Sequence, residues 1–526
     1  MVLATVLSAT LVGLDGRVIR VEVDVANGLP GFTIVGLADA ALQEARERVR
    51  GAIRNAGFVH PPRRITVNLA PAEQRKAGAS LDLAIAMAIL LGSEQVRAAP
   101  GRVALIGELS LGGEVRPVPG MLPMAAALAR RGLRRVLVPE PSVAEARLVP
   151  GIDAVGVATL HDAVELLRRR RRGRRGMIAP PRVDLGSDNE ARPATDRVVK
   201  STAAGGPSPD LSEVRGQLEA RRGLEIALAG GHGLLLVGPP GSGKTLLART
   251  IAGLLPPLPD DEALAATIVA SVAGDGPSEL VRRAPVRSPH HTLSYAAMVG
   301  GGPRLSPGEV TLADHGVLFL DELPEFSRDV LEALRQPLED GRVSVARAGR
   351  ATTFPARFQF VAAMNPCPCG FAGDEPGRCR CGPGVPEKYA GRVSGPLRDR
   401  IDLWVTMPKV APVALMAGPE PESSAEVAVR IAAARARQRR RAAGRLNGRV
   451  SGRELRMVCG LTAVTRRRAI ELADLEGLSG RGTERLLRVA RTIADLAATE
   501  AVGVGHLEEA ARFRSPASRL AVREAS

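Results

Sequence analysis

A chain of 526 residues is long enough for about two to four domains, each with its own core. With 45% hydrophobic and 24% charged residues it has the make-up of a soluble globular protein; no apolar run reaches the length of a membrane span, so a membrane role is excluded and a cytoplasmic place expected. Its 72 lysines and arginines outnumber 56 acids, a net +16, which points to a polyanionic partner or to an arginine-rich base composition; 2% aromatics leave few platforms for stacking bases, so nucleic-acid contacts would go mostly to phosphates.

The opening MVLATVLSATLVGLDGRVIRVEVD reads as alternating strands, not as a leader. Residues 1–167 alternate strand-like runs (VIRVEVDV, RITVNLA, RVALIGEL) with helix-like ones (ALQEARERVRGAIRNAG, LDLAIAMAILLG), the pattern of an α/β domain. From 168 to 209 the run RRRRRGRRG and a Pro, Gly and Ser-rich stretch carry no apolar period and are expected to form a linker; the arginines are either a solvated charge block or a nucleic-acid arm. Asp210 is placed to cap a helix through about Ala229, and GLLLV at 233–237 suits a buried parallel strand, opening an α/β core over 210–408. Residues 409–526 are expected to be helical, with weak caps and many arginines.

Only five lysines occur, at 76, 200, 244, 388 and 409, and Lys244 stands in GPPGSGKT, which fits G-x-x-x-x-G-K-[ST] between a strand and a helix. Gly238, Gly241 and Gly243 would let backbone N–H groups turn inward around phosphate oxygens, with Pro239, Pro240 and Ser242 completing the nucleotide-binding loop. Lys244 would reach the β and γ phosphates of ATP as a flexible point charge, a task a planar guanidinium does poorly, and Thr245 would place its hydroxyl on Mg²⁺.

Downstream, GVLFLDELPEF (316–326) delivers Asp321 and Glu322 at a strand's C-terminal edge, where ligands of open α/β sheets bind. Asp321 suits the Mg²⁺ shell and Glu322 the polarising of an attacking water. The strand in RFQFVAAMNP ends at Asn365, whose amide would orient water or sense the γ-phosphate, or else be a simple turn residue.

These segments, with HHTLSYAAMVGGG (290–302), AAMNPCPCG, SGPLRDRIDL (394–403) and RVARTIADL (488–496), resemble the YifB/ComM family of magnesium-chelatase-like AAA+ ATPases along essentially the whole chain. The resemblance implies a hexameric ring ATPase with a Lon-protease-like α/β N-terminal domain (1–167), a chelatase-type P-loop core and an all-α C-terminal lid. In the best-understood branch the ring is a DNA helicase driving branch migration. By motif, Arg400 matches the arginine finger that reaches a neighbouring subunit's γ-phosphate, and Arg481 in LSGRGTERLL matches the lid arginine called sensor 2.

Four of five cysteines, Cys367, Cys369, Cys379 and Cys381, fall in CPCGFAGDEPGRCRC. Two C-x-C pairs can supply four thiolates to one tetrahedral zinc, although the usual spacing is C-x-x-C; disulfides and free thiols are the competing readings. Cys459 reads as core. Just upstream, GRVSVARAGRATTFPA (341–356) reads as a β-hairpin with Arg347 and Arg350 near its tip. In the related AAA+ clade such a hairpin enters the ring's pore, so these arginines would either grip DNA phosphates or stay solvated.

KAGASLDLAIAMAIL (76–90) and GELSLGGEVRPVPGMLPMAAALARRG (107–132) resemble the two active-site segments of Lon-type peptidases, with Ser80 near the serine position. The lysine base falls at Leu122, and arginine cannot replace it, so a peptidase fold without peptidase chemistry is expected. A DNA motor is favoured over a protein- or metal-remodelling ATPase, because VARAGRAT offers arginines and no aromatic grip for polypeptide.

Overall fold

The computed structural model describes residues 3–36, 40–71, 78–97, 103–172, 208–302, 305–347, 350–373, 377–416 and 420–514. Lys76, Lys200 and most of the 168–209 segment lie outside them.

The N-terminal unit is built on seven strands in the order Gly31–Val35, Arg64–Ala70, Asp15–Ala26, Leu3–Val12, Val103–Leu105, Arg135–Pro139 and Asp153–Val157. Leu3–Val12 and Asp15–Ala26 form one long antiparallel hairpin, and inward residues such as Val6, Ile19, Val21 and Val23 alternate with exposed ones at the period of a pleated strand. The helix Asp82–Gly92 is buried on every side, which explains why LDLAIAMAILLG shows no polar face. Its one charge, Asp82, is paired with Arg48 at 2.8 Å; burial outweighs that pairing and pushes the carboxyl up to about 6. The last helix runs Leu160–Arg172, five residues beyond the boundary read at 167, so the arginine run starts on a helix.

The second unit holds a five-stranded, wholly parallel sheet in the order Val286–Arg287, Val317–Leu320, Gln359–Met364, Leu234–Val237 and Leu403–Thr406. Alternate residues of each strand enter two different cores: Leu234, Leu236, Val317, Phe319 and Val361 join one cluster, Leu235, Leu318, Leu320, Phe360 and Ala362 the other. A sheet covered on both faces demands such uninterrupted apolar runs as LLLV and VLFL. The expectation for Asp210 needs correcting. It caps only the short 3₁₀ turn Leu211–Glu213, in a reciprocal capping box with Glu213, because Gly216 and Gln217 take left-handed φ of 67° and 50° and break the chain before the helix Leu218–Gly230.

From Ser424 to Arg512 every regular element is helical. The caps are sounder than the sequence implied: Ser423, Thr462 and Ser479 each accept a hydrogen bond from the N–H three residues on. The helices Ser424–Arg441 and Gly480–Leu496 share an apolar cluster with one face of the parallel sheet. A buried polar network joins the same surfaces. His232 bridges Thr492 (2.7 Å) and Asp402 (3.3 Å), while Asp495 receives Arg491 at 2.9 Å and Arg441 at 2.7 Å. The motif RVARTIADL thus supplies structural contacts. Asp495→Ala would leave two guanidiniums without their carboxylate, and denaturant unfolding is expected to show a loss of about 3–5 kcal/mol. A loss below about 1 kcal/mol, the scale of an exposed pair, would remove the network's structural role.

Among the described residues the two units meet through Ser271 and through the turn at Gly13. Across the junction Gly120 N–H donates to the Ser271 carbonyl at 2.8 Å, Leu122 N–H to the Ser271 hydroxyl at 3.3 Å, and that hydroxyl to the Glu145 carboxylate, which also accepts Leu122 N–H within its own unit at 2.9 Å. Burial raises the Glu145 pKa against these bonds. The turn at Gly13 approaches Thr352.

Candidate active site

The strand Leu234–Val237 carries the phosphate loop off the sheet's C-terminal edge. Gly238 N–H still pairs with the Met364 carbonyl of the neighbouring strand, at 3.2 Å, and a Cβ at Gly238 would lie 2.2 Å from the Met407 carbonyl. Gly241 and Gly243 then take φ of 78° and 91°, conformations that side chains resist, and the chain enters the helix Lys244–Arg249. Pro239 and Pro240 stiffen the turn, and Ser242 is buried beneath it.

Lys244 Nζ donates to the carbonyls of Gly238 (2.7 Å) and Pro239 (2.9 Å) and to Asn365 Oδ1 (3.2 Å). Burial lowers its pKa, opposed by the nearby carboxylates of Asp321 and Glu322. Thr245 Oγ1 donates to Asp321 Oδ2 at 2.6 Å, and Asp321 Oδ1 accepts the Glu322 N–H at 2.9 Å. Four residues read separately from the sequence, Lys244, Thr245, Asp321 and Asn365, therefore meet at three adjacent strand ends. The Thr245 and Asp321 oxygens form the hard donor set that suits Mg²⁺.

Glu322 stands just beyond Asp321 in a left-handed conformation, φ 51°, uncommon for a residue with a side chain. Its side chain is half exposed and its Oε2 lies 3.2 Å from His291 Nδ1. His291 in turn packs against His290, the rings tilted and their centroids 4.1 Å apart, and meets Phe326 edge-on. His291 was missed from sequence. HHTLSYAAMVGGG drew attention to the segment, but only the return of the chain to the strand Val317–Leu320 shows that its second histidine reaches Glu322.

Arg400 and Arg481 do not join this constellation within one chain. Arg400 pairs with Glu339 at 2.8 Å and remains part-exposed. Arg481 is exposed on the first turn of Gly480–Leu496, while its neighbour Arg485 is buried against Asp399 and Ile401. The hairpin is present as Arg342–Arg347 paired with Arg350–Pro355, and Arg347 opposite Arg350 closes the ladder at its tip; residues 348–349, including Gly349, lie outside the described residues. In the N-terminal unit Ser80 is buried and donates to the Ala9 carbonyl at 3.1 Å, and Leu122 takes part in the contact with Ser271.

The four cysteines converge. Their sulfurs all lie within 4.8 Å of one another; Cys367 is 3.3 Å from Cys369 and 3.9 Å from Cys379, and Cys369 is 3.7 Å from Cys379. A tetrahedral zinc with thiolates at about 2.3 Å needs edges of about 3.8 Å, so the soft donor set fits zinc in number, type and spacing. Ala372 N–H donates to Cys367 Sγ, and N–H groups of Arg380 and Phe371 bring the Cys369 thiol down to about 6. Cys459 is buried in the helical core, as expected. No helix among the described residues is long and apolar enough to cross a membrane.

Comparison with known proteins agrees with this architecture. Residues 210–415 match the family described as "Magnesium chelatase, subunit ChlI", residues 21–142 that described as "Subunit ChlI of Mg-chelatase" and residues 421–514 "Magnesium chelatase, subunit ChlI C-terminal". The YifB protein of Salmonella typhimurium is 42% identical over 519 residues, 98% of this chain and 97% of its own. "Competence protein ComM" of Haemophilus influenzae is 39% identical over 522 residues, 98% of each chain. A 139-residue stretch, 26% of this chain and 16% of the relative, is 29% identical to "DNA replication licensing factor MCM3 homolog 1" of Zea mays. With family matches spread from residue 21 to residue 514 and relatives matched nearly end to end, the chain belongs to the magnesium-chelatase-like family that contains YifB and ComM.

Proposed function

We propose that the protein hydrolyses ATP with Mg²⁺ and works as a ring that remodels DNA. The observation that carries the ATPase reading is the junction of Lys244, Thr245, Asp321 and Asn365 at adjacent strand ends. Loop N–H groups and Lys244 bind and orient the β and γ phosphates. Thr245 and Asp321 would hold Mg²⁺, which would supply neutralisation of the phosphate charge. Glu322 accepts the proton of the attacking water, with His291 fixing the carboxylate's direction, and the Asn365 amide orients the γ-phosphate or the water. Arg481 is assigned to the same nucleotide from the lid side. The cysteines hold one zinc per chain as a structural ion. A filter-binding and phosphate-release assay on the purified chain tests the core claim; no turnover with or without DNA would sink it.

The ring follows from Arg400. It is part-exposed, paired with Glu339, and takes no part in the cluster of Lys244, Thr245, Asp321 and Asn365 of its own chain, which leaves it free to complete a neighbour's site. Arg400→Ala and Lys244→Ala chains, each inactive alone, are expected to regain part of the activity when mixed, at interfaces that pair an intact loop with an intact finger. Verified mixed rings without any recovery would count against action in trans.

DNA as substrate is supported by the net charge of +16, by the arginine pair at the hairpin tip and by the names of two relatives, one for competence and one for DNA replication licensing. Remodelling of protein is the second reading; the hairpin's described strands carry one aromatic, Phe354, which is buried, and so offer no exposed aromatic grip.

A further inference from the structure

The cysteine cluster is joined to the nucleotide site at two points. Cys367 follows Asn365 with only Pro366 between them, so the loop closed by the four sulfurs springs directly from the strand end that accepts from Lys244. At the far side of its first turn, Gly370 takes φ 89° and lies hard against the phosphate loop: a Cβ there would sit 2.5 Å from Pro240 Cδ and 2.7 Å from Pro240 Cγ. The described residues between 366 and 382 form no helix or strand, and the contacts among them include a Gly370 to Cys367 turn bond, N–H groups aimed at sulfur and Arg378 over the Phe371 ring at 4.3 Å. Segments of this kind lose much entropy on ordering, and metal ligation is what commonly offsets it.

We propose that zinc at Cys367, Cys369, Cys379 and Cys381 braces the phosphate loop, so that metal occupancy sets nucleotide affinity. The proposal rests on reading the cysteines as a zinc site and the loop as an ATP site. Ligation ties Cys367, Cys369, Cys379 and Cys381 to one point, which holds Gly370 against Pro240 on one side and fixes Asn365 on the other. The loop is thereby held ready for phosphate before nucleotide arrives, and a preorganised loop spends less binding energy on ordering itself.

Full-length protein purified without chelator should contain close to one zinc per chain. Displacing that zinc with an organic mercurial, followed by thiol reductant and a zinc-selective chelator, is expected to weaken binding of a fluorescent ATP analogue about tenfold, and zinc re-addition to restore it. The buried Cys459 serves as an internal standard that stays unmodified while the fold is intact. A second variant tests the mechanical contact alone: Gly370→Val, which thrusts a side chain at Pro240, should keep its zinc and still bind the analogue weakly. Stoichiometric zinc whose removal leaves affinity unchanged overturns the brace and keeps the metal site. Absence of zinc with all four clustered thiols freely reactive overturns the metal site itself. No analogue binding by the untreated protein overturns the nucleotide reading instead.

Discussion

Glu322→Gln is expected to bind ATP as the unmodified chain does and to lose about 10²–10⁴-fold in turnover, the scale of a positioned general base. The substitution keeps size and hydrogen-bonding shape, so the left-handed turn at Glu322 and the Asp321 to Glu322 N–H bond have no reason to change. Lys244→Ala should differ in kind: it removes the charge aimed at the phosphates, and both binding and turnover should fail. His291 gives the site a finer test. It reaches Glu322 at 3.2 Å, so it is a positioning residue whose loss should reduce kcat more than it raises KM for ATP. A single-turnover measurement with labelled ATP separates the cases. Wild-type turnover by Glu322→Gln would show that the carboxylate does not take the proton, and would move attention to a water held by Asn365 or by a residue from a neighbouring chain.

What could be seen in the sequence is what is local. The phosphate loop needs glycines, a lysine and a threonine within eight consecutive positions, so its whole signal lies in one short stretch. Asp321 and Glu322 announce themselves because four apolar residues in a row precede two acids. The hairpin and the cysteine cluster were likewise readable, since each closes over fewer than twenty residues. The rest depends on long-range return of the chain. His291 meets Glu322 across thirty-one positions, Glu145 meets Ser271 across 126 and His232 meets Thr492 across 260, and periodicity carries no trace of such pairs. The error at Asp210 was of another type. An acid before an apolar run marks a cap, but only the left-handed pair Gly216 and Gln217 decides that the capped turn ends at once.

DNA binding should be weakly dependent on sequence and steeply dependent on salt. With about six to ten phosphates neutralised, affinity is expected to fall about 10³–10⁵-fold between 50 and 200 mM salt, through release of condensed counterions. Three features argue for binding of that type: a chain with +16 net charge, two aromatics in every hundred residues, and a hairpin whose final cross-strand pair is Arg347 with Arg350. The first two apply to the molecule as a whole; only the third names a place. Arg347→Ala combined with Arg350→Ala should therefore reduce the slope of log affinity against log salt by about one for each phosphate left without its arginine, and weaken all sequences alike. Basal ATPase should persist, because the hairpin hangs outside the parallel sheet whose strand ends hold Lys244, Asp321 and Asn365. ATP-dependent displacement of a labelled arm from a branched substrate should collapse in the same variant, since a motor that hydrolyses without gripping phosphates does no work on the strand. If the unmodified protein, active as an ATPase, neither binds nor displaces any single-stranded, duplex or branched substrate at about 50 mM salt, the counterion-release account fails at the concentration where it is strongest, and remodelling of a protein partner becomes the better reading.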